Sequence, residues 1–145
     1  VLALLEDDRA HIGHVGDSRA YLFREGGLTQ LTDDHSIVAL LLATGEITPE
    51  QAAGHPSRGQ LTRYIGMKSE VYPDVCTITL QKSDRLLLCT DGLTCMAPDN
   101  TIAKILQDHP EPDAACRTLI DAANESGGHD NITVQIIDWL GDSQL

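Results

Sequence analysis

No apolar run in the 145-residue sequence approaches the ~20 residues of a membrane-spanning helix; Ile37 to Ala43 and Leu86 to Cys89 are among the longest. The first five residues, Val1 to Leu5, lack a basic start and a small-residue cleavage site, and acidic Glu6-Asp7-Asp8 follows, which argues against a secretory signal. An initiator Met is also missing, which implies a chain that begins inside a longer protein. Basic residues are scarce. Ten Lys and Arg stand against 22 Asp and Glu, a net charge of −12 that repels a nucleic-acid backbone, so nucleic acid is not expected as a partner, and with no spanning run neither is a membrane. The four cysteines, Cys76, Cys89, Cys95 and Cys116, show no Cys-x-x-Cys spacing, so a zinc site is not expected and reduced, structural thiols fit a cytoplasmic protein. Internal repeats and low-complexity tracts are absent too. What is present, 41% hydrophobic and 22% charged residues over 145 positions, suits one globular domain with a real core.

Short runs rich in β-branched, aromatic and aliphatic residues read as strands at Val1 to Glu6, Ala10 to Val15, Arg19 to Arg24 and Leu28 to Leu31, the first three joined by tight turns at Asp7-Asp8-Arg9 and Gly16-Asp17-Ser18. Gly26-Gly27 offers positive-φ positions for the next hairpin. A helix start is read at Thr32-Asp33-Asp34, with Ile37, Leu40, Leu41 and Leu42 as its apolar side and Gly45 as its stop. Thr48-Pro49-Glu50-Gln51 carries the cap and first-turn proline of a second short helix ended by Gly54 and Pro56, which makes residues 33–60 a small helical insertion. Thr77 to Gln81 and Arg85 to Thr90 read as a strand pair turning at Lys82-Ser83-Asp84. Helical spacing recurs in Asn100 to Asp108 (Ile102, Ile105, Leu106) and Asp113 to Glu125 (Ala115, Leu119, Ile120, Ala123). A last strand, Ile132 to Trp139, precedes a frayed end at Gly141 to Leu145. Strands, then helices, then one strand predict an α+β layered fold rather than an alternating parallel sheet.

Three aspartates sit where an apolar strand meets a turn: Asp17, Asp91 and Asp130. Asp91 follows its strand and Asp130 precedes its own, so an antiparallel pairing of those strands brings both carboxylates to one sheet edge. Clustered carboxylates repel one another and raise their pKa values unless a cation joins them, and hard oxygen donors suit Mg²⁺ or Mn²⁺. Taken singly, each aspartate also fits an ordinary turn, where it hydrogen-bonds its own backbone. His11 and His14 are three residues apart on one strand and therefore face opposite sides, so they read as satisfied sheet histidines rather than ligands.

The ordered set His14-Val15-Gly16-Asp17-Ser18-Arg19-Ala20-Tyr21, Leu31-Thr32-Asp33-Asp34-His35-Ser36, Leu61-Thr62-Arg63-Tyr64-Ile65-Gly66, Leu86-Leu87-Leu88-Cys89-Thr90-Asp91-Gly92-Leu93 and Gly127-Gly128-His129-Asp130-Asn131-Ile132-Thr133-Val134 resembles the bacterial metal-dependent protein phosphatases of the protein phosphatase 2C (PPM) family. The resemblance implies part of a four-layer α/β/β/α sandwich of antiparallel sheets, with residues 1–145 as the C-terminal part of the domain and residues 36–60 as its flap. It implies hydrolysis of phosphoserine and phosphothreonine in phosphoproteins by a metal-activated water. Asp91 and Asp130 match ligands of a two-ion Mg²⁺ or Mn²⁺ centre, and Asp17 matches the aspartate that shares a third ion with Asp91. The family's Asp-Gly-x-Gly-Gly-His loop, its phosphate-binding arginine and its general-acid histidine have no counterpart in the 145 residues. Arg19, Arg63, His35 and His129 therefore inherit no catalytic role and read as structural. Three expectations follow: the missing ligands come from upstream residues as a partner piece, the chain alone has little activity, and exposed sheet surface favours self-association. The reading from another class is a non-catalytic, phosphatase-like regulatory module.

Overall fold

A computed structural model describes residues 1–141 of the chain. Seven strands and five helices follow in the order β1 Leu2–Glu6, β2 Arg9–His14, β3 Arg19–Arg24, β4 Gly27–Gln30, α1 Ile37–Ala43, α2 Pro49–Ala53, β5 Asp74–Thr79, β6 Arg85–Cys89, α3 Asp91–Thr94, α4 Asp99–Asp108, α5 Pro112–Glu125 and β7 Val134–Asp138. The expected frayed end lies almost wholly outside the described residues.

The strands form two antiparallel sheets, one of order β1-β2-β5 and one of order β4-β3-β6-β7. Two strand connections therefore differ from the sequence reading. Gly16-Asp17-Ser18 does not close a hairpin: β2 pairs with β1 and β5, β3 with β4 and β6, so the turn carries the chain from one sheet to the other. Residues 80–84 likewise cross between sheets, since β5 pairs with β2 and β6 with β3 and β7. Turn chemistry fixes a change of direction, but which sheet receives the next strand depends on the partners available. The β3–β4 hairpin is as expected, with Arg24 opposite Gly27 and positive φ at Glu25 and Gly26 rather than at both glycines.

Leu86 and Leu88 point into a core between the sheets with Ala10, Ile12, Ala20, Leu22 and Leu80. Leu87 and Cys89 point the other way, into a second core with Tyr21, Leu93, Ile102, Leu106, Leu119 and Ala123. All five residues of β6 are buried, which explains why this strand reads as an unbroken apolar run rather than an alternation. Helices α4 and α5 bury the stripes Ile102, Ile105, Leu106 and Ala115, Leu119, Ala123, so the molecule stacks as sheet, sheet and helices. The outer face of the β1-β2-β5 sheet carries Leu2, Leu4 and Val75, each at least 60% exposed.

Residues 36–73 leave the sheets. The cap of α1 falls on Ser36, whose hydroxyl accepts the Ala39 N–H, a few residues later than the expected start. In α2 the Thr48 hydroxyl and Gln51 side chain form a reciprocal capping box with Pro49 in the first turn. Neither short helix contains a buried residue. A single bridge, Ser36 to Leu61, pins the base of the segment.

Candidate metal centre

Asp17 sits on the crossing between the sheets, one residue after Gly16, whose φ of +108° suits glycine. Both polar groups of Gly16 are held. Its N–H donates to His35 Nδ1 at 3.1 Å, and its carbonyl accepts from His14 Nε2 at 2.9 Å and from the His35 N–H at 2.8 Å. The corner bearing Asp17 is thus clamped by two buried histidines, His14 at 3% and His35 at 4% exposure.

Asp91 opens α3 directly after β6, and Asp130 lies in the loop entering β7. These strands do pair antiparallel, with Cys89 opposite Val134, which puts the loops of Asp91 and Asp130 at the same end of the strand pair. Thr90 stitches the two loops together: its N–H donates to the Thr133 carbonyl at 3.1 Å, its hydroxyl donates to the Asn131 carbonyl at 3.0 Å, and the same hydroxyl accepts the Thr133 N–H at 3.0 Å. Gly92 makes the approach possible. A Cβ at this position would stand 2.3 Å from the Asn131 carbonyl oxygen. Asp130 is exposed, and its Oδ1 accepts the Asn131 N–H at 2.7 Å.

Asp17 and Asp91 line one cleft of ≈ 750 Å³, walled by α1, α2, Asp33, Asp34 and Thr94; Asp130 is not on its lining. Burial, and then the charge of Asp91, push the Asp17 carboxyl above the usual carboxylate range. The three carboxylates are not drawn into one tight cluster. Among the described residues the only group of three or more His, Cys, Asp or Glu side chains with ligand atoms within 4.8 Å of one another is His14, His35 and Asp74. For Asp17 and Asp91, part-buried carboxylates lining one cleft, the donor chemistry fits a hard divalent cation, which would relieve the repulsion that Asp17 experiences.

The neighbouring arginines are committed elsewhere. Arg19 forks onto Asp34 at 2.8 and 2.7 Å and donates to the Tyr21 hydroxyl, and Arg63 forks onto Asp74 at 2.7 and 2.9 Å. Both are ion-pair residues, as their lack of an inherited role implies. His11 and His14 do face opposite sides of β2, His11 hydrogen-bonding Thr77 and His14 bonding Gly16. Exposed His129 folds over Gly127. The sequence reading missed Asp74, the carboxylate that joins Arg63 to His35 at 3.0 Å; its signal was a lone acidic residue at the mouth of a strand, one that marks ordinary turns equally well.

Comparison with known proteins agrees with this layout. The family model described as stage II sporulation protein E (SpoIIE) matches residues 24–140, and that described as protein phosphatase 2C matches residues 1–40. The serine/threonine phosphatase stp of Listeria monocytogenes is 42% identical over 138 residues, covering 95% of this chain and 55% of that protein. The crystal structure of the Mycobacterium tuberculosis serine/threonine phosphatase PstP/Ppp superposes with a TM-score of 0.87 at 40% identity, covering 97% of this chain and 58% of that one. A structure of the PstP catalytic domain in complex with two manganese ions superposes with a TM-score of 0.84 at 38% identity over 97% of this chain and 57% of that one. The chain spans about half the length of the curated relatives it matches. With the SpoIIE model running over residues 24–140, the protein phosphatase 2C model over residues 1–40 and an antiparallel two-sheet fold shared with solved relatives, the chain belongs to the protein phosphatase 2C/SpoIIE family.

Proposed function

We infer that this chain is the C-terminal part of a cytoplasmic, metal-dependent serine/threonine protein phosphatase of bacterial type, acting in signalling by removing phosphate from phosphoproteins. The observation that carries this reading is the placement of Asp17 and Asp91 on the lining of one cleft, where burial and then the charge of Asp91 raise the Asp17 carboxyl. Support also comes from the PstP catalytic domain that holds two manganese ions. Asp91 and Asp130 are assigned to a two-ion Mg²⁺ or Mn²⁺ centre, and Asp17 with Asp91 to a third ion. When bound, such ions supply Lewis acidity that ionises a water near neutral pH and offsets charge on the phosphoryl oxygens.

The chain's own residues do the positioning. Thr90 and Gly92 hold the Asp91 and Asp130 loops in register, and His14 and His35 fix the corner of Asp17. Residues 36–60, beside the cleft, are assigned as the flap that meets the phosphoprotein. The remaining ligands and the phosphate-binding arginine are assigned to upstream residues of the same domain, which act as the partner of this part.

Hydrolysis of p-nitrophenyl phosphate with Mn²⁺ tests the reading. The 145 residues alone are expected to turn over little, because three aspartates do not fill two octahedral sites. A domain of the relatives' full length containing this chain is expected to be active and to lose at least ~10²-fold in kcat on Asp91→Asn. Full activity of that variant, or an inactive full-length domain, overturns the assignment and favours a non-catalytic module.

A further inference from the structure

His14, His35 and Asp74 bring three ligand-type side chains close together, but most of their ligand atoms are already hydrogen-bonded. His35 Nδ1 accepts the Gly16 N–H, so its proton sits on Nε2 and goes to Asp74 Oδ2 at 3.0 Å. His14 Nε2 donates to the Gly16 carbonyl. Asp74 is gripped on both oxygens by the Arg63 guanidinium, a positive charge where a cation would have to approach. A metal here would have to strip a backbone N–H from His35 and displace a bidentate arginine. The cluster is a hydrogen-bond relay instead.

The ends of that relay belong to different parts of the molecule. One end is Gly16, adjacent to Asp17. The other is Arg63, which lies in the segment outside the sheets and whose guanidinium also holds the Tyr72 carbonyl at 3.1 Å. Between them, the Thr62 N–H donates to the His35 carbonyl at 2.8 Å, and the His14 and His35 rings lie with centroids 4.1 Å apart. Gly16 at φ +108° has no side chain to hold it, so its conformation depends on these outside partners.

We propose that His35 is a positioning residue for Asp17: with Asp74 and Arg63 it forms a relay that ties the hold of Asp17 on a divalent cation to the base of the 36–73 segment. The proposal rests on the assignment of Asp17 as a metal ligand. It makes the cation affinity sensitive to Arg63, a side chain with no contact to Asp17, through groups that orient a ligand without touching the ion. Displacing the base of the segment then loosens the corner, and filling the cation site tightens it by the same factor.

Mn²⁺ titration of the 145-residue chain, read from the paramagnetic resonance signal of the free ion, tests this without catalysis. The expected result is weaker binding by roughly 10-fold for His35→Ala and a smaller loss in the same direction for Arg63→Gln. In an Asp17→Asn background neither substitution weakens binding further, because both act through Asp17. If Asp17→Asn weakens binding while His35→Ala and Arg63→Gln titrate as the native chain does, the relay is refuted and the ligand assignment stands. Additive losses in the Asp17→Asn background also refute it. If Asp17→Asn itself binds Mn²⁺ like the native chain, the ligand assignment fails and the proposal falls with it. Circular dichroism identifies a His35→Ala variant that has lost the fold, in which case the half-exposed Arg63→Gln carries the same cycle.

Discussion

At the scale of single residues, the candidate site is built by small, specific contacts around each aspartate. Gly92 is the clearest case, since no side chain fits between it and the Asn131 carbonyl. Gly92→Ala is expected to cost about 1–3 kcal/mol in urea denaturation as the Asp130 loop is pushed aside; an unchanged midpoint would show that the loop yields freely. Asp84 gives a pH signature. Burial pushes its carboxyl up, but the Arg24 fork at 2.8 and 2.6 Å and the Gln81 N–H at 2.7 Å outweigh burial and leave it below the usual range. Asp74 is lowered as well, by Arg63 and then His35. Both carboxylates bind fewer protons folded than unfolded. Their stabilisation is therefore complete above the unfolded value of about 4 and is lost as pH falls through the folded values. Asp84→Asn should lower stability by about 2 kcal/mol at pH 7 and flatten its decline toward pH 3, measured by denaturation at a series of pH values. A decline as steep as that of the native chain would rule this out. That Asp17, Asp91 and Asp130 stand next to strand ends was legible in the sequence, because an aspartate bordering an apolar run is a local pattern, although Asp91 opens a helix rather than a turn. Asp74 was not, because its importance comes from Arg63 and His35, eleven and 39 positions away.

Element by element, the sequence yielded most strands and helices within a few residues, since periodicity and caps are local. Pairing was less accessible. The turns at residues 16–18 and 82–84 carry the same Ser and Asp chemistry as a hairpin, yet each switches sheets. What decides is the burial of β6 on both faces, which makes it the central strand between two cores and leaves β5 to join the other sheet. Arg85, at the start of β6, is 7% exposed and ties that strand to its neighbours: it forks onto Asp138 of β7 and donates to the carbonyls of Leu106, His109 and Pro110 at the end of α4. Arg85→Ala is expected to destabilise by about 3–5 kcal/mol, because Asp138 and three carbonyls lose their donor together. Arg85→Lys should recover only part of this, since an ammonium cannot reproduce the fork. Equal stability of the Lys and native forms would contradict the bidentate role.

For the whole molecule, the outer face of the β1-β2-β5 sheet is the feature with a measurable consequence. Leu2 and Val75 flank Gly13 in register, and Leu4 lies two residues on, so the exposed side chains form one apolar strip beside an open strand edge. Sedimentation should show concentration-dependent association of the chain that Leu4→Lys suppresses; a monomer across the accessible range would argue that the strip is too small to matter. The crossing at Gly16 has a broader consequence. His14 and Asp74 ride on one sheet, whereas Asp91 rides on the other, with Asp17 on the seam between them. The cleft therefore works as a gauge of sheet spacing: enlarging or trimming Ile12 or Leu88, neither a ligand, changes the gap across which the two carboxylates meet.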